Sequence, residues 1–137
     1  MNILIADDEN VSRKKLQKIM ETIGECEAVK NGHDALEAFS AAIRKGKPFD
    51  LISLDIVMPD MDGITALTKI READRRHIRP DKKPLKILMV TSHSKKEAVL
   101  TCIKAGADGY IVKPFNLEVI VAKLKEVGVS IPVPMEG

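Results

Sequence analysis

DLISLDIVMPDMDG, residues 50–63, sets the architecture expected for this protein. The run Asp50 to Leu54 is short and mostly apolar, which predicts a β-strand covered on both faces. The stretch that follows contains three aspartates together with Pro59 and Gly63, which predicts a loop. Helical spacing begins at Ile64. The segment therefore has the strand, loop and helix order of one unit in a parallel α/β sheet.

The same order recurs along the rest of the chain. Further strands are predicted at Asn2 to Ala6, Glu25 to Val29, Lys86 to Val90 and Gly109 to Val112. Two apolar stripes at helical spacing should face the sheet, namely Leu16, Ile19, Met20 and Ile23, and Leu117, Ile120, Val121 and Leu124. Helices between them are predicted near Asp34 to Arg44, Ile64 to Ala73 and Lys95 to Ala105, with Gly46 and Gly106 as C-caps. We therefore expect an α/β domain with five parallel strands.

The composition is that of a globular domain rather than a disordered or membrane-spanning chain. Hydrophobic residues make up 45% of the 137 residues and charged residues 31%. No run approaches the roughly 20 apolar residues of a membrane-spanning helix, and no signal-peptide pattern precedes the first strand, so we expect a cytoplasmic location. The formal net charge of +2 predicts no nucleic-acid or membrane partner, because such binding needs concentrated positive charge.

One domain is expected over residues 1–127, followed by a tail over residues 128–137. Pro132 and Pro134 exclude a continued helix in the tail, which is predicted to be extended or disordered. Cys26 and Cys102 fit neither a metal-ligand spacing nor a redox pair. Both are interpreted as small buried hydrophobic residues.

A basic segment precedes the fourth strand. Residues Arg71 to Lys86 include seven basic residues, three acidic residues and two prolines, which predicts a long loop. The segment lacks aromatic side chains for stacking on bases and has no recognisable reading helix, which argues against nucleic-acid binding. A solvated loop is the preferred interpretation, and a contact with a partner protein is the alternative.

Polar side chains follow four of the predicted strands, at the strand ends where parallel sheets bind ligands. They are Asp7, Asp8 and Glu9 after the first strand, Asp55 after the third, Thr91 and Ser92 after the fourth, and Lys113 and Pro114 after the fifth. Asp7, Asp8 and Asp55 would share one crevice if the first and third strands were neighbours. Carboxylates so close together need a cation, and Mg²⁺ prefers hard oxygen ligands together with phosphate oxygens. Lys113 and Thr91 could orient a transferring phosphoryl group at the same rim.

Together these motifs resemble the response-regulator receiver family of two-component signalling, in its single-domain, chemotaxis-like form. The motifs are Asp7-Asp8, LDIVMPDMDG at residues 54–63, VTS ending at Ser92 and KPF from Lys113. The resemblance covers about residues 2–127. It implies a flavodoxin-like, doubly wound sheet with the strand order 2-1-3-4-5, which makes the first and third strands neighbours.

The resemblance also implies a role for each site residue. Asp55 would accept a phosphoryl group from a phosphohistidine of a histidine kinase or histidine phosphotransferase. Asp8 and Asp55 would bind Mg²⁺ together with the backbone carbonyl of Val57, and Asp7 would act mainly through water. Phosphoryl binding would fall to the side chains that close the pocket, Thr91, Ser92 and Lys113. The bond from Lys113 to Pro114 would be cis, and Thr91 and Tyr110 would shift to remodel the partner face of helix four, strand five and helix five.

Two enzyme classes fit the residues less well. A haloacid-dehalogenase-type phosphohydrolase carries a second aspartate two residues after the nucleophile, and Val57 stands there. A flavin or nucleotide site needs a glycine-rich or hydroxyl-rich loop after the first strand, where this chain has three acidic residues. We therefore expect no enzyme beyond a switch that catalyses its own phosphorylation and dephosphorylation, as a monomer that binds proteins.

Several alternatives stay open at this point. A degenerate receiver that binds partners without phosphorylation would keep the fold and lose the chemistry. A chemotaxis-type switch, a phosphorelay intermediate and a fragment of a longer protein all fit a chain without a second predicted domain. For His93, a role in tuning the acyl phosphate and a plain exposed loop position are equally compatible with the sequence.

Overall fold

Five strands alternate with five helices within residues 1–79 and 83–131, which are the residues that the computed structural model describes. The strands are β1 (Asn2–Ala6), β2 (Glu25–Val29), β3 (Leu51–Leu54), β4 (Lys86–Thr91) and β5 (Gly109–Val112). The helices are α1 (Asn10–Met20), α2 (Gly32–Arg44), α3 (Gly63–Arg76), α4 (Lys96–Lys104) and α5 (Leu117–Glu126). Every predicted strand and helix is therefore present, and the strand boundaries agree with the predicted ones to within one residue.

All five strands form one parallel sheet in the order β2-β1-β3-β4-β5, which confirms the expected topology. The pairing of β1 with β3 brings Ala6 opposite Leu54, so the carboxyl ends of these two strands are level. Asp7 and Asp55, the residues that directly follow these strands, therefore lie at the same edge of the sheet. The crevice that the sequence predicts depends on this register.

Apolar side chains cover both faces of the sheet. Helices α2, α3 and α4 pack on one face around Leu4 and Phe39, and α1 and α5 pack on the other around Ile5 and Leu16. Leu4 and Ile5 are neighbours in β1 but belong to different apolar clusters, because successive side chains of a strand point to opposite faces of the sheet. Each of these four side chains is fully buried, and burial of such a side chain stabilises the fold by roughly 1.5 to 3 kcal/mol.

Capping residues fix several helix ends. The N-cap side chains of α2, α3 and α5 each accept a hydrogen bond from a backbone N–H three residues on; these residues are Asn31, Asp62 and Asn116. Gly46 and Gly106 have φ angles of +74° and +109°, and their N–H groups donate to Ile43 and Ile103. The prediction that these two glycines terminate α2 and α4 is confirmed.

Some predicted boundaries are wrong. Helix α3 continues to Arg76 rather than ending at Ala73, since Arg75 and Arg76 are compatible with its negatively polarised C-terminus. Helix α2 begins two residues earlier than predicted, and α4 is one residue shorter at each end. Leu117 does not face the sheet with the rest of its stripe; it is the first residue of α5 and is 47% exposed.

The interpretation of the basic segment as a solvated loop is also wrong in part. Arg71 and Arg79 have side chains that are only 13% and 9% exposed. Arg71 donates hydrogen bonds to the carbonyl oxygens of Gly106 and Leu85 and to the carboxylate of Asp108. Arg79 donates hydrogen bonds to the carbonyl oxygens of Lys83 and Phe49, so both arginines face inward. Arg75, Arg76 and Lys83 are exposed.

The packed core extends past the predicted domain boundary at residue 127. Val129 is buried, and Ile131 packs against the same apolar cluster. The remaining predicted tail, residues 132–137, lies outside the described residues. Cys102 is buried as expected, but Cys26 is only half-buried because it lies on the edge strand β2. In the part of the chain that is described, no helix has both the length and the hydropathy to cross a membrane.

Candidate functional site

Asp7 and Asp8 lie directly after β1 at the carboxyl edge of the sheet. Asp7 is buried, with 2% of its surface exposed, whereas Asp8 is exposed. The backbone N–H of Asp7 donates to the carbonyl of Val29 at 3.1 Å, and its Oδ1 accepts from the N–H of Glu9 at 2.9 Å. The turn therefore holds one carboxylate inside the protein and leaves its neighbour open to solvent.

Asp55 lies beside this pair because β3 pairs with β1. Its backbone N–H donates to the carbonyl of Ala6 at 3.0 Å, and only 5% of its surface is exposed. The following loop returns so closely that a Cβ on Gly63 would lie 1.8 Å from the carbonyl oxygen of Asp55. Gly63 also donates from its N–H to the carbonyl of Ile56 at 2.8 Å. Only glycine permits this approach, which fixes the backbone of Asp55.

Lys113 brings the carboxylates together. Its Nζ lies 2.6 Å from Oε1 of Glu9, 2.8 Å from Oδ2 of Asp55 and 2.9 Å from Oδ2 of Asp7. The side chain is only 8% exposed. The bond from Lys113 to Pro114 is cis, the form that the resemblance implies. One ammonium group thus contacts three carboxylates contributed by two different strand ends.

The charges of this cluster depend on burial and on the lysine. Burial lowers the pKa of Lys113, but its close contacts with the carboxylates of Asp55, Glu9 and Asp7 outweigh this effect and raise the pKa well above its ordinary value. Burial raises the pKa of the Asp7 carboxyl, and contacts with Lys113 and with the N–H of Glu9 only partly offset this effect. Lys113 therefore stays cationic at neutral pH and supplies the positive charge of the cluster.

The donor set fits Mg²⁺. Asp7, Asp8 and Asp55 each offer a carboxylate oxygen, and these oxygens lie within 4.8 Å of one another. Oδ2 of Asp7 is buried and accepts no hydrogen bond of normal geometry from the described residues, although Nζ of Lys113 is 2.9 Å away. A buried carboxylate oxygen left so incompletely bonded is stabilised by a further cation, and Mg²⁺ prefers such ligands.

The opposite rim of the site is formed by the ends of β4 and β5. Thr91 is fully buried, and Ser92 beside it is exposed. The hydroxyl of Thr91 accepts from the N–H of His93 at 3.4 Å, and Tyr110 donates from its hydroxyl to the carbonyl of His93 at 2.7 Å. The backbone N–H of Lys113 donates to the carbonyl of Thr91 at 2.8 Å. The two predicted switch residues thus contact the same exposed loop residue, His93.

In the loop after Asp55, two aspartates have structural roles and one valine is exposed to solvent. Asp62 caps α3, and Asp60 adopts a positive φ of 68° in the turn, so both have the structural roles that single aspartates usually have. Val57 is 58% exposed two residues after Asp55. An apolar side chain therefore faces solvent next to the predicted acceptor.

Two residues without a predicted role also belong to the site. Glu9 contacts Lys113 at 2.6 Å, a pairing across 104 residues that no local pattern reveals. Arg13 is buried and donates to the carbonyl of Asp7 at 3.0 Å and to the side chain of Asn10 at 2.5 Å. In the sequence, Arg13 is marked only by its position six residues after Asp7, and this spacing matches no known motif.

Comparison with known proteins gives a consistent result. A sequence model described as the response regulator receiver domain matches residues 3–125. The chain is 35% identical to a chemotaxis protein CheY from Halobacterium salinarum, over 91% of this chain and 94% of that protein. It is also 35% identical to a CheY-3 from Vibrio cholerae, over 93% and 91%. A hybrid signal transduction histidine kinase L from Dictyostelium discoideum is 35% identical over 92% of this chain, which spans only 7% of that kinase.

Solved structures agree with the sequence relatives. The CheX-CheY-BeF3-Mg²⁺ complex from Borrelia burgdorferi contains a chain with a TM-score of 0.79 and 29% identity, matched over 95% of this chain and 90% of that one. A CheY-like receiver domain protein from Methanospirillum hungatei has a TM-score of 0.72 and 33% identity, over 91% and 90%. The family model, the similar chains and the fold agree, and the chain belongs to the response regulator receiver family of two-component signalling.

Proposed function

We propose that this chain is a phosphorylation-dependent switch whose acceptor is Asp55. The observation that carries the proposal is the contact of Lys113 with both Asp55 and Asp7, at 2.8 and 2.9 Å, in a pocket where both carboxylates are buried. A cation at this point balances the negative charge of an arriving phosphoryl group. Receiver domains are signalling switches rather than metabolic enzymes, and we propose that this chain acts only on its own acyl phosphate.

The transfer forms one bond and breaks one bond. Lys113 holds Oδ2 of Asp55, so Oδ1 is the oxygen that attacks the phosphorus of a phosphohistidine on the partner. The Oδ1–P bond forms as the N–P bond breaks, and the electron pair returns to the imidazole nitrogen, which takes a proton from solvent. Dephosphorylation follows when water attacks the phosphorus and the Oδ1–P bond breaks. Asp55 leaves as a carboxylate, inorganic phosphate is released, and a proton from the water passes to solvent.

Asp7, Asp8 and Asp55, with the backbone carbonyl of Val57, are the residues that we propose hold Mg²⁺. When bound, the metal neutralises negative charge on the transferring group and aligns its oxygens. Asp8 is the exposed member of the set, so it is the carboxylate through which a metal enters from solvent. The Borrelia complex, solved with BeF3 and Mg²⁺, supports this assignment by similarity.

Thr91, Ser92 and Lys113 are the proposed contacts of the phosphoryl oxygens on the opposite rim. The buried hydroxyl of Thr91 accepts a long hydrogen bond of 3.4 Å from the N–H of His93, so its reorientation toward an acyl phosphate loses little. Tyr110 is hydrogen-bonded to the same loop residue. We propose that movement of Thr91 releases this loop and lets Tyr110 turn inward, which carries the signal to the surface.

The surface that receives the signal is the face of α4, β5 and α5. It carries exposed aliphatic side chains on each of its three elements, including Leu100, Ile103, Val112 and Val119. Exposed apolar residues grouped on adjoining elements favour a protein partner. We propose a sensor histidine kinase or histidine phosphotransferase as the phosphoryl donor and a protein target at this face, with the chain acting as a monomer and without nucleic acid.

Intact mass measurement after incubation with phosphoramidate tests the acceptor directly. Wild type should gain one phosphoryl mass in the presence of Mg²⁺ and little without it, and Asp55→Asn should gain none. Asp62→Asn is the matched control, because it makes the same substitution in the same loop and asparagine also caps helices. This control should be phosphorylated like wild type.

The outcomes separate the switch from its alternative. If folded wild type gains no phosphoryl group with Mg²⁺, the chain is a degenerate receiver that binds partners without phosphorylation. If Asp55→Asn still gains the mass, the acceptor is another residue and the assignment of Asp55 is wrong.

A further inference from the structure

Three carboxylates surround the ammonium group of Lys113. A lysine ammonium has three N–H donors. Its three near neighbours are oxygens of Glu9, Asp55 and Asp7, at 2.6, 2.8 and 2.9 Å. Nζ donates hydrogen bonds to Glu9 and Asp55 and forms an ion pair with Asp7. An oxygen of a phosphoryl group that takes over one of these hydrogen bonds must therefore displace Glu9 or Asp55.

Glu9 is the acceptor that solvent can replace. Its side chain is 56% exposed, whereas those of Asp7 and Asp55 are 2% and 6% exposed. A carboxylate that leaves Lys113 from a buried position loses its charge partner without gaining water, which is costly. Glu9 leaves into solvent and is rehydrated, so its displacement has the lowest free-energy cost.

The position of Glu9 in the helix gives an independent reason to regard its contact as specific. Glu9 is the N-cap of α1, but its side chain makes no capping hydrogen bond, in contrast to the caps of α2, α3 and α5. N-cap positions favour short side chains such as Asp, Asn and Ser. The helix forgoes a side-chain cap here, and the longer glutamate instead reaches Lys113.

From these contacts we infer that Glu9 is a positioning residue that holds Lys113 before phosphorylation and yields it to the phosphoryl group. The inference rests on the proposed function of Asp55 and adds to it a residue that sets how easily the phosphorylated form is reached. Removal of the Glu9 contact should therefore favour the phosphorylated form and its mimics. The gain should be about two- to fivefold, the range that corresponds to a half-exposed ion pair.

Beryllofluoride, a stable mimic of the acyl phosphate, is the probe that measures this effect at equilibrium in the full chain with saturating Mg²⁺. Glu9→Gln should raise the affinity for beryllofluoride by that factor. Glu9→Asp should raise it as well, since the shorter side chain keeps its charge but caps α1 instead of reaching Lys113. Glu21→Gln, the same substitution at the other exposed end of α1, is the matched control and should match wild type.

Each result bears on the inference. A gain in both Glu9 variants that persists at high salt supports it, because a direct contact is screened less than long-range repulsion. A gain in Glu9→Gln alone, or a gain that salt abolishes, would mean that only net charge matters and overturns it. Equal affinity of both variants and wild type also overturns it. If wild type binds no beryllofluoride and takes no phosphoryl group, the proposed function itself fails, which is a separate result.

Discussion

The hydroxyl of Tyr110 donates a hydrogen bond of 2.7 Å to the backbone carbonyl of His93. The N–H of His93 points to the hydroxyl of Thr91 at 3.4 Å, so this exposed residue is held from both sides by the proposed switch residues. The loop between β4 and α4 therefore has a defined position that depends on side chains of β4 and β5. Any movement of Thr91 or Tyr110 acts on the same loop.

Tyr110→Phe keeps the ring and removes the hydrogen bond to His93. We expect faster amide hydrogen exchange at residues 93–96 and a loss of stability of about 0.5 to 1 kcal/mol, because the bond is at the surface. Hydrogen-exchange mass spectrometry measures the first effect and urea unfolding the second. Thr101→Val is the matched control, since it removes one exposed hydroxyl hydrogen bond inside α4. Unchanged exchange in the loop would show that Tyr110 does not restrain it.

The apolar side chain of Val57 leads us to expect a long-lived acyl phosphate on Asp55. Its side chain is 58% exposed beside Asp55 and offers no polar atom that could orient an attacking water. Val57→Asn supplies such an atom and should shorten the half-life of the phosphorylated form several-fold, measured by intact mass at intervals after removal of the phosphodonor. Val119→Asn, at an exposed valine of α5, should leave the half-life unchanged. Equal half-lives for Val57→Asn and wild type would refute the prediction.

The strands and the central site were predictable because their signals are local or follow from topology. Apolar runs identify β1, β3 and β4, and the repeated strand and helix order locates β2 and β5. The pairing of β1 with β3 then places Asp7 beside Asp55. The directions of Arg71 and Arg79 were not predictable in the same way. Their carbonyl and carboxylate acceptors lie between 4 and 37 residues away in sequence, and a run of basic residues alone indicates a solvated surface.

Arg71→Met tests whether the inward arginines stabilise the fold. The substitution removes hydrogen bonds to Gly106, Leu85 and Asp108, and the expected cost is about 1 to 3 kcal/mol in the free energy of unfolding. Arg75→Met, an exposed position on the same helix, should change it by no more than about 0.5 kcal/mol. Urea unfolding measures both. Equal stabilities would restore the view of this segment as a solvated loop.

The contact between Glu9 and Lys113 could not be predicted from the sequence. The acidic character of residues 7–9 is plain in the sequence, and it predicts a cation nearby. Which carboxylate reaches the lysine depends on the turn after β1 and on the length of each side chain. Asp8 faces solvent, and Glu9, one residue further along, meets Lys113 instead.

Cys26 provides a pH-dependent test of the environment of the edge strand. Burial, together with the negative charge of Glu21, raises the pKa of its thiol from 9.0 to about 11. The folded chain therefore binds this proton more tightly than the unfolded chain. The resulting contribution to stability is complete below pH 9 and is lost as the pH rises from 9 through 11.

Alkylation by iodoacetamide measures this shift, because only the thiolate reacts. In urea-denatured protein the rate at Cys26 should level off above about pH 9, whereas in folded protein it should continue to rise toward pH 11. Peptide mapping separates Cys26 from the buried Cys102. Glu21→Gln should lower the midpoint in folded protein by less than the whole shift, since burial is the larger cause. A folded-state rate that levels off near pH 9 would show that β2 exposes this thiol to solvent.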